Sequence, residues 1–173
     1  MSLLGIFNPK KRSGWALLVG SAFLLELAAL AFQYVWDLQP CIKCVYQRIA
    51  LWGICLAALP ALVCPQSLIC RLLSYLAALV SAIWGVKVAG DHLALQNAPN
   101  PLFASCELVP NFPAWFKPDV WLPALFEPRG DCGNIDWTFL NMSMPQWMQI
   151  IFVVYVAALT ISLIYSLIKR KSL

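Results

Sequence analysis

Residues 15–34 read WALLVGSAFLLELAALAFQY, with Glu26 the only charge in the run. A stretch of this length matches the roughly 20 residues of helix that cross a hydrocarbon core. Working outward, residues 45–63, 68–88 and 147–168 are similarly long and apolar. The 173-residue chain is 61% hydrophobic and 12% charged, with a mean hydropathy of +0.74. Soluble domains hold about 45–50% apolar residues, so an ordinary soluble domain is excluded. Helices are the expected spanning form, because each satisfies its own backbone hydrogen bonds. The alternation over about ten residues that marks a membrane β-barrel strand is absent. The expected fold is an all-α integral membrane protein, a four-transmembrane-helix bundle in one membrane domain, 1–173.

Charge orients the bundle. Lys10, Lys11 and Arg12, then Arg71, then Lys169, Arg170 and Lys171 fall on one side with no acidic residue among them, which makes that side cytoplasmic. The expected order is a cytoplasmic segment 1–14, spans 15–34, 45–63, 68–88 and 147–168, periplasmic loops 35–44 and 89–146, a cytoplasmic loop 64–67 and a cytoplasmic tail 169–173. Both termini are then inside, and the long outer loop carries six acidic residues against Lys117 and Arg129. Trp15, Trp36, Trp84 and Trp147 lie near span ends, where an aromatic belt belongs. The basic residues before residue 15 and the small residues Ala29-Leu30-Ala31 imitate a signal peptide, but the apolar run exceeds the usual length of about 7–15 and more spans follow. The first span is therefore expected to be retained. The lipid bilayer is an expected partner, and nucleic acid is not.

Eight of the 12 prolines fall between Pro99 and Pro145, which argues against long helices or central strands there. The outer loop is expected to be structured and Pro-rich. Its apolar middle, from Trp115 to Phe126, either lies in the membrane interface or packs on the loop's own small core.

Topology sorts the seven cysteines. Cys41, Cys44, Cys106 and Cys132 are outside, while Cys55, Cys64 and Cys70 are expected to be small buried or reduced residues. Adjacency favours Cys41 with Cys44 and leaves Cys106 with Cys132. Three readings stay open for the quartet: structural disulfides, a four-cysteine zinc site, and a thiol–disulfide relay. The zinc reading is weakened because the later cysteines form no second C-x-x-C, so no metal is expected.

Local chemistry favours the relay. If a helix begins after Pro40, Cys44 lies in its first turn, where unpaired N–H groups and the helix dipole stabilise a thiolate. Arg48 follows at i+4 on the same face. Its guanidinium stays charged and needs a polar partner: the Cys44 sulfur, a lipid phosphate, or an oxygen of a bound ligand. Glu26 is expected to face the bundle interior and pair there, and Lys87 to snorkel.

Three runs are also informative: Gly14-Trp15-Ala16-Leu17-Leu18, Leu25-Glu26-Leu27-Ala28-Ala29-Leu30, and Gln39-Pro40-Cys41-Ile42-Lys43-Cys44-Val45-Tyr46-Gln47-Arg48. With Pro101-Leu102-Phe103-Ala104-Ser105-Cys106, Gly130-Asp131-Cys132 and Met144-Pro145-Gln146-Trp147, they resemble the bacterial disulfide bond formation protein B family, DsbB. The resemblance covers nearly the whole chain. It implies a four-helix inner-membrane thiol oxidase that reoxidises the periplasmic thioredoxin-fold oxidase DsbA and passes electrons to ubiquinone or menaquinone. It further implies that Cys106 and Cys132 form the disulfide attacked by reduced DsbA, that Cys41 and Cys44 reoxidise that pair, that Cys44 faces the quinone, and that His92 lies nearby. Arg48 is then placed to hydrogen-bond a quinone carbonyl. Alternatives are an oxidase dedicated to a specialised DsbA-like partner, a bacterial relative of vitamin K epoxide reductase, and a non-enzymatic, disulfide-stapled membrane scaffold.

Overall fold

The computed structural model describes residues 9–98, 106–107 and 109–170. Motif residues Pro101 to Ser105, and Lys171 of the basic tail, lie outside these. Four long helices carry the architecture: α1 (Arg12–Tyr34), α2 (Ile42–Val63), α3 (Leu68–Gln96) and, after an irregular connection, α6 (Met144–Arg170). All four are long and apolar enough to cross a membrane, and the chain is a multi-pass membrane protein. At 29 residues, α3 is roughly 43 Å long, about two turns more than a hydrocarbon core requires.

The surface is inverted relative to a soluble protein. Leu24, Leu56, Leu76, Val80 and Ile161 stand more than half exposed around the bundle, as lipid-facing side chains do. Inside, helix α2 packs against both α1 and α3, and α3 packs against α6. The seams are built from small residues: Ala22, Ala50, Ala58, Ala61, Ala78, Ala82 and Ala89 are all fully buried. Helices in lipid gain little from hydrophobic burial against one another, so close backbone approach at small residues supplies the packing. Gly85 is the tightest case, because a Cβ there overlaps the buried ring of Phe152 on α6. Gly85→Ala is expected to cost about 1–3 kcal/mol by overpacking. Thermal unfolding in detergent should show the loss, and adding Phe152→Leu should recover most of it.

Turn chemistry explains the ends. The chain leaves α1 through Asp37, whose φ of 54° is left-handed, while the Leu38 N–H reaches back to the Phe32 carbonyl. Asp is among the residues that tolerate this left-handed position. Pro40 then prevents continuation, and Cys41 becomes the N-cap of α2, its sulfur accepting the Cys44 N–H at 3.3 Å. Near α6 the chain forms a two-residue hairpin from β1 (Thr138–Phe139) and β2 (Met142–Ser143), closed by Leu140 and Asn141 at positive φ.

Two expectations need correcting. Trp15 is turned inward, stacked edge-on against Tyr75 and donating to the Pro9 carbonyl, instead of facing outward in an aromatic belt. Cys64 and Cys70 are not reduced residues but are joined in a disulfide, because the tight α2–α3 turn folds back and brings their Cα atoms to 6.4 Å. Cys55 is buried and free, as expected.

The Pro-rich connection contains two single-turn helices, α4 (Pro118–Trp121) and α5 (Pro123–Phe126). Prolines at the first turn of each start a helix and keep it short. One side of this segment docks on the bundle: Phe126 is buried, and the Ala124 carbonyl accepts from Gln33 and Tyr34 of α1. Trp115, Val120 and Trp121 are exposed on it.

Candidate functional site

The first turn of α2 brings the cysteine pair together. Cys41 as N-cap and Cys44 as the third helical residue place their sulfurs 2.8 Å apart. The two are inequivalent: Cys41 is 2% exposed, whereas Cys44 is only partly buried. The hydrogen bond that Cys41 donates to the Cys44 sulfur and burial both push the Cys41 thiol up, so of the two thiols Cys41 holds its proton more firmly.

The second pair is held against the first by backbone. The N–H groups of Arg129 and Gly130 both donate to the Pro40 carbonyl, at 2.9 and 3.0 Å, directly before Cys41. Cys132 follows and is fully buried, bonded to Cys106 in a disulfide. Cys106 is only partly buried. It packs near Ile42, Tyr46 and Val88, and the Tyr46 hydroxyl accepts the Asn111 N–H at 2.8 Å. The more accessible sulfur of the loop pair is therefore Cys106, and the inner one is Cys132. With Cys106 and Cys132 bonded to each other, the four-cysteine zinc arrangement is not formed.

His92 sits between the pairs. Its ring is 3% exposed, with Nε2 3.7 Å from the Cys41 sulfur and 3.2 Å from the Cys132 carbonyl, and Nδ1 3.3 Å from the Gln47 amide.

Arg48 points to α1. It is 6% exposed and donates to Gln33 Oε1 at 2.6 Å, to the Leu125 carbonyl at 2.8 Å and to the Ala29 carbonyl at 2.9 Å. Glu26 lies 3.9 Å from its Nε, so the buried carboxylate does find the interior partner expected of it. Among the described contacts no hydrogen bond joins Arg48 to Cys44. Gln33 and Gln47 were missed by the sequence reading. A signal existed for the first: Glu26, Ala29 and Gln33 fall on one helical stripe, and Arg48 touches all three.

A cavity of about 120 Å³ opens beside these groups. Cys41, Cys44, Arg48 and His92 contribute to its wall, with Leu25, Phe32, Met144 and Met148 giving apolar sides. A mostly apolar cleft with a few convergent polar groups and a cysteine sulfur suits a flat, lipid-soluble ligand that carries hydrogen-bond acceptors.

Gly130 is needed where it stands, since a Cβ there would run into the Gln39 backbone carbonyl. Gly130→Ala should cost both hydrogen bonds to Pro40, about 1–3 kcal/mol together. Alkylation of the otherwise buried Cys41 by a maleimide is expected to accelerate by about tenfold. An unchanged rate would show that the loop is held elsewhere.

The sequence model of the family described as disulfide bond formation protein DsbB matches residues 11–162. A disulfide bond formation protein B of Pseudoalteromonas atlantica is 50% identical, the match covering 83% of this chain and 84% of that protein. Those of Psychromonas ingrahamii and Pseudoalteromonas translucida are 45% and 42% identical, covering 98% and 95% of this chain and 95% and 96% of their own lengths.

Proposed function

We propose, for a chain that belongs to the disulfide bond formation protein DsbB family and so to the disulfide oxidoreductases of the membrane, a relay from a periplasmic protein dithiol to membrane quinone. The partner is a DsbA-like thioredoxin-fold oxidase. The membrane is the bacterial inner membrane, crossed at 15–34, 45–63, 68–88 and 147–168, with both termini cytoplasmic and the redox cysteines periplasmic.

A partner thiolate attacks the accessible Cys106 sulfur, breaking the Cys106–Cys132 bond and forming a mixed disulfide. The partner's second thiol displaces Cys106 and leaves with a disulfide. The reduced loop pair then passes its two electrons to a Cys41–Cys44 disulfide, Cys132 attacking Cys41. The loop is reoxidised and the dithiol remains at Cys41 and Cys44. A bound quinone accepts the two electrons and two protons that this dithiol gives up, closing the cycle.

The cavity fits such a group. Its apolar sides accommodate a ring and the start of an isoprenoid tail, and Arg48 offers a charged donor where carbonyl oxygen gains negative charge. Gln33, Ala29 and Leu125 hold the guanidinium in place, so little reorganisation is needed during electron transfer. His92 keeps Cys41 beside the loop pair, and Cys44 faces the cleft.

The carrying observation is that Cys41, Cys44, Arg48 and His92 wall one apolar cleft, and that His92 also links Cys41 to the second cysteine pair through the Cys132 carbonyl. Purified protein in detergent, given the reduced partner and a soluble quinone, should consume thiols and quinone in a two-to-one ratio. Thiol loss without quinone loss, under exclusion of oxygen, would sink the reading.

A further inference from the structure

We propose that the reduced Cys41–Cys44 pair and His92 form a redox-gated site for a thiophilic d10 cation, zinc above all, whose occupation closes the cleft. This goes beyond the relay and does not depend on quinone being its acceptor.

The ligand atoms are already gathered. The Cys41 and Cys44 sulfurs and a ring nitrogen of His92 all lie within 4.8 Å of one another. A tetrahedral zinc with bonds of about 2.3 Å to sulfur and 2.0–2.1 Å to nitrogen sets edges of roughly 3.8 Å between sulfurs and 3.5 Å from sulfur to nitrogen. The Cys41 to His92 Nε2 distance of 3.7 Å meets the second value as it stands. The sulfurs, now 2.8 Å apart, have to open by about 1 Å, which rotation about χ1 of the partly buried Cys44 supplies.

Three further features suit an ion. Gln47 Nε2 lies 3.3 Å from His92 Nδ1, and turning the amide over to place its oxygen there holds a proton on Nδ1 and frees the Nε2 lone pair for the metal. That lone pair replaces the present contact of Nε2 with the Cys132 carbonyl at 3.2 Å. Two thiolates and a neutral imidazole cancel the dication's charge, which matters where Cys41 and His92 are 2% and 3% exposed. The fourth position faces the cleft and is available to water, as in three-ligand zinc sites.

Redox state gates the site, because zinc ligation needs thiolates and a Cys41–Cys44 disulfide offers none. Zinc binding releases the two thiol protons, transfers no electrons and competes with any ligand of the cleft. Chain held in the dithiol state by lack of an electron acceptor is therefore the form that zinc arrests. This ligand set differs from the four-cysteine site considered from sequence, and the fold does not require the ion.

The test uses the full chain in detergent carrying Cys55→Ala, Cys64→Ser, Cys70→Ser, Cys106→Ser and Cys132→Ser, so that competing thiols are removed. The reduced and the oxidised protein are each titrated with zinc against a chromophoric chelator. One ion per chain is expected in the reduced form and none in the oxidised form. Cys44→Ser should abolish binding, and His92→Ala should weaken it at least about tenfold. His92→Cys should restore it, and cobalt in place of zinc should give the visible bands of a tetrahedral thiolate–imidazole site. No zinc held against the chelator, equal binding by both redox forms, or undiminished affinity in His92→Ala would overturn the proposal.

Discussion

Cys44→Ser should reduce steady-state, thiol-dependent quinone reduction at least about 10³-fold, the scale on which losing a reacting nucleophile acts. The residue it replaces is the more exposed of the two cysteines that line the cleft beside Arg48, whereas Cys41 is buried with its sulfur 3.7 Å from His92. A serine hydroxyl neither forms a disulfide with Cys41 nor carries the electron pair onward. The loss should not be total from the first turnover, because Cys106 and Cys132 remain joined in their own bond. One equivalent of partner disulfide per chain should form, and the reaction should then stop. Continued turnover beyond that burst would remove Cys44 from the path. A missing burst would mean that the loop pair cannot act without the inner one.

Arg48→Ala is the second large effect. Its side chain bridges α1, α2 and the segment at Leu125 through three hydrogen bonds, and it faces the buried Glu26. A charge-assisted hydrogen bond to a ligand oxygen contributes about 1.5–3 kcal/mol, so the apparent KM for quinone should rise roughly 10- to 150-fold. The KM for the protein dithiol should change less than about twofold, since Cys106 lies on the other side of α2, packed near Ile42 and Tyr46. Arg48→Lys keeps the charge but cannot make the same three contacts from one ammonium, so it should recover only part of the affinity. Parallel losses for both substrates would show that Arg48 supports the fold and not the ligand.

How far the site was legible in the sequence differs residue by residue. Cys41 and Cys44 could be placed because Pro40 stops one structure and starts another, and a cysteine N-cap with a second cysteine in the first turn follows locally from that. Gln33 carried only the helical stripe it shares with Glu26 and Ala29, and Gln47 could not be singled out by type, since a lone glutamine in an apolar helix carries no signal until something is seen to touch it. The Cys64–Cys70 bond was read the wrong way, because compartment chemistry was weighed and the tightness of the α2–α3 turn was not. The hairpin at 138–143 was hidden by its length: two-residue strands show no alternation to detect.

By itself the sequence determined that this is a multi-pass helical membrane protein with a dithiol at a helix N-terminus. Those properties depend on runs of apolar residues, on a proline and on spacing within a few residues, all of which act locally along the chain. Only the tertiary structure decided that Arg48 is anchored across to α1, that His92 stands between Cys41 and Cys132, and that Gly130 ties the loop to Pro40. Each of these joins residues 15 to 90 positions apart. Contacts of that range are settled by how the helices pack, and no local pattern encodes them.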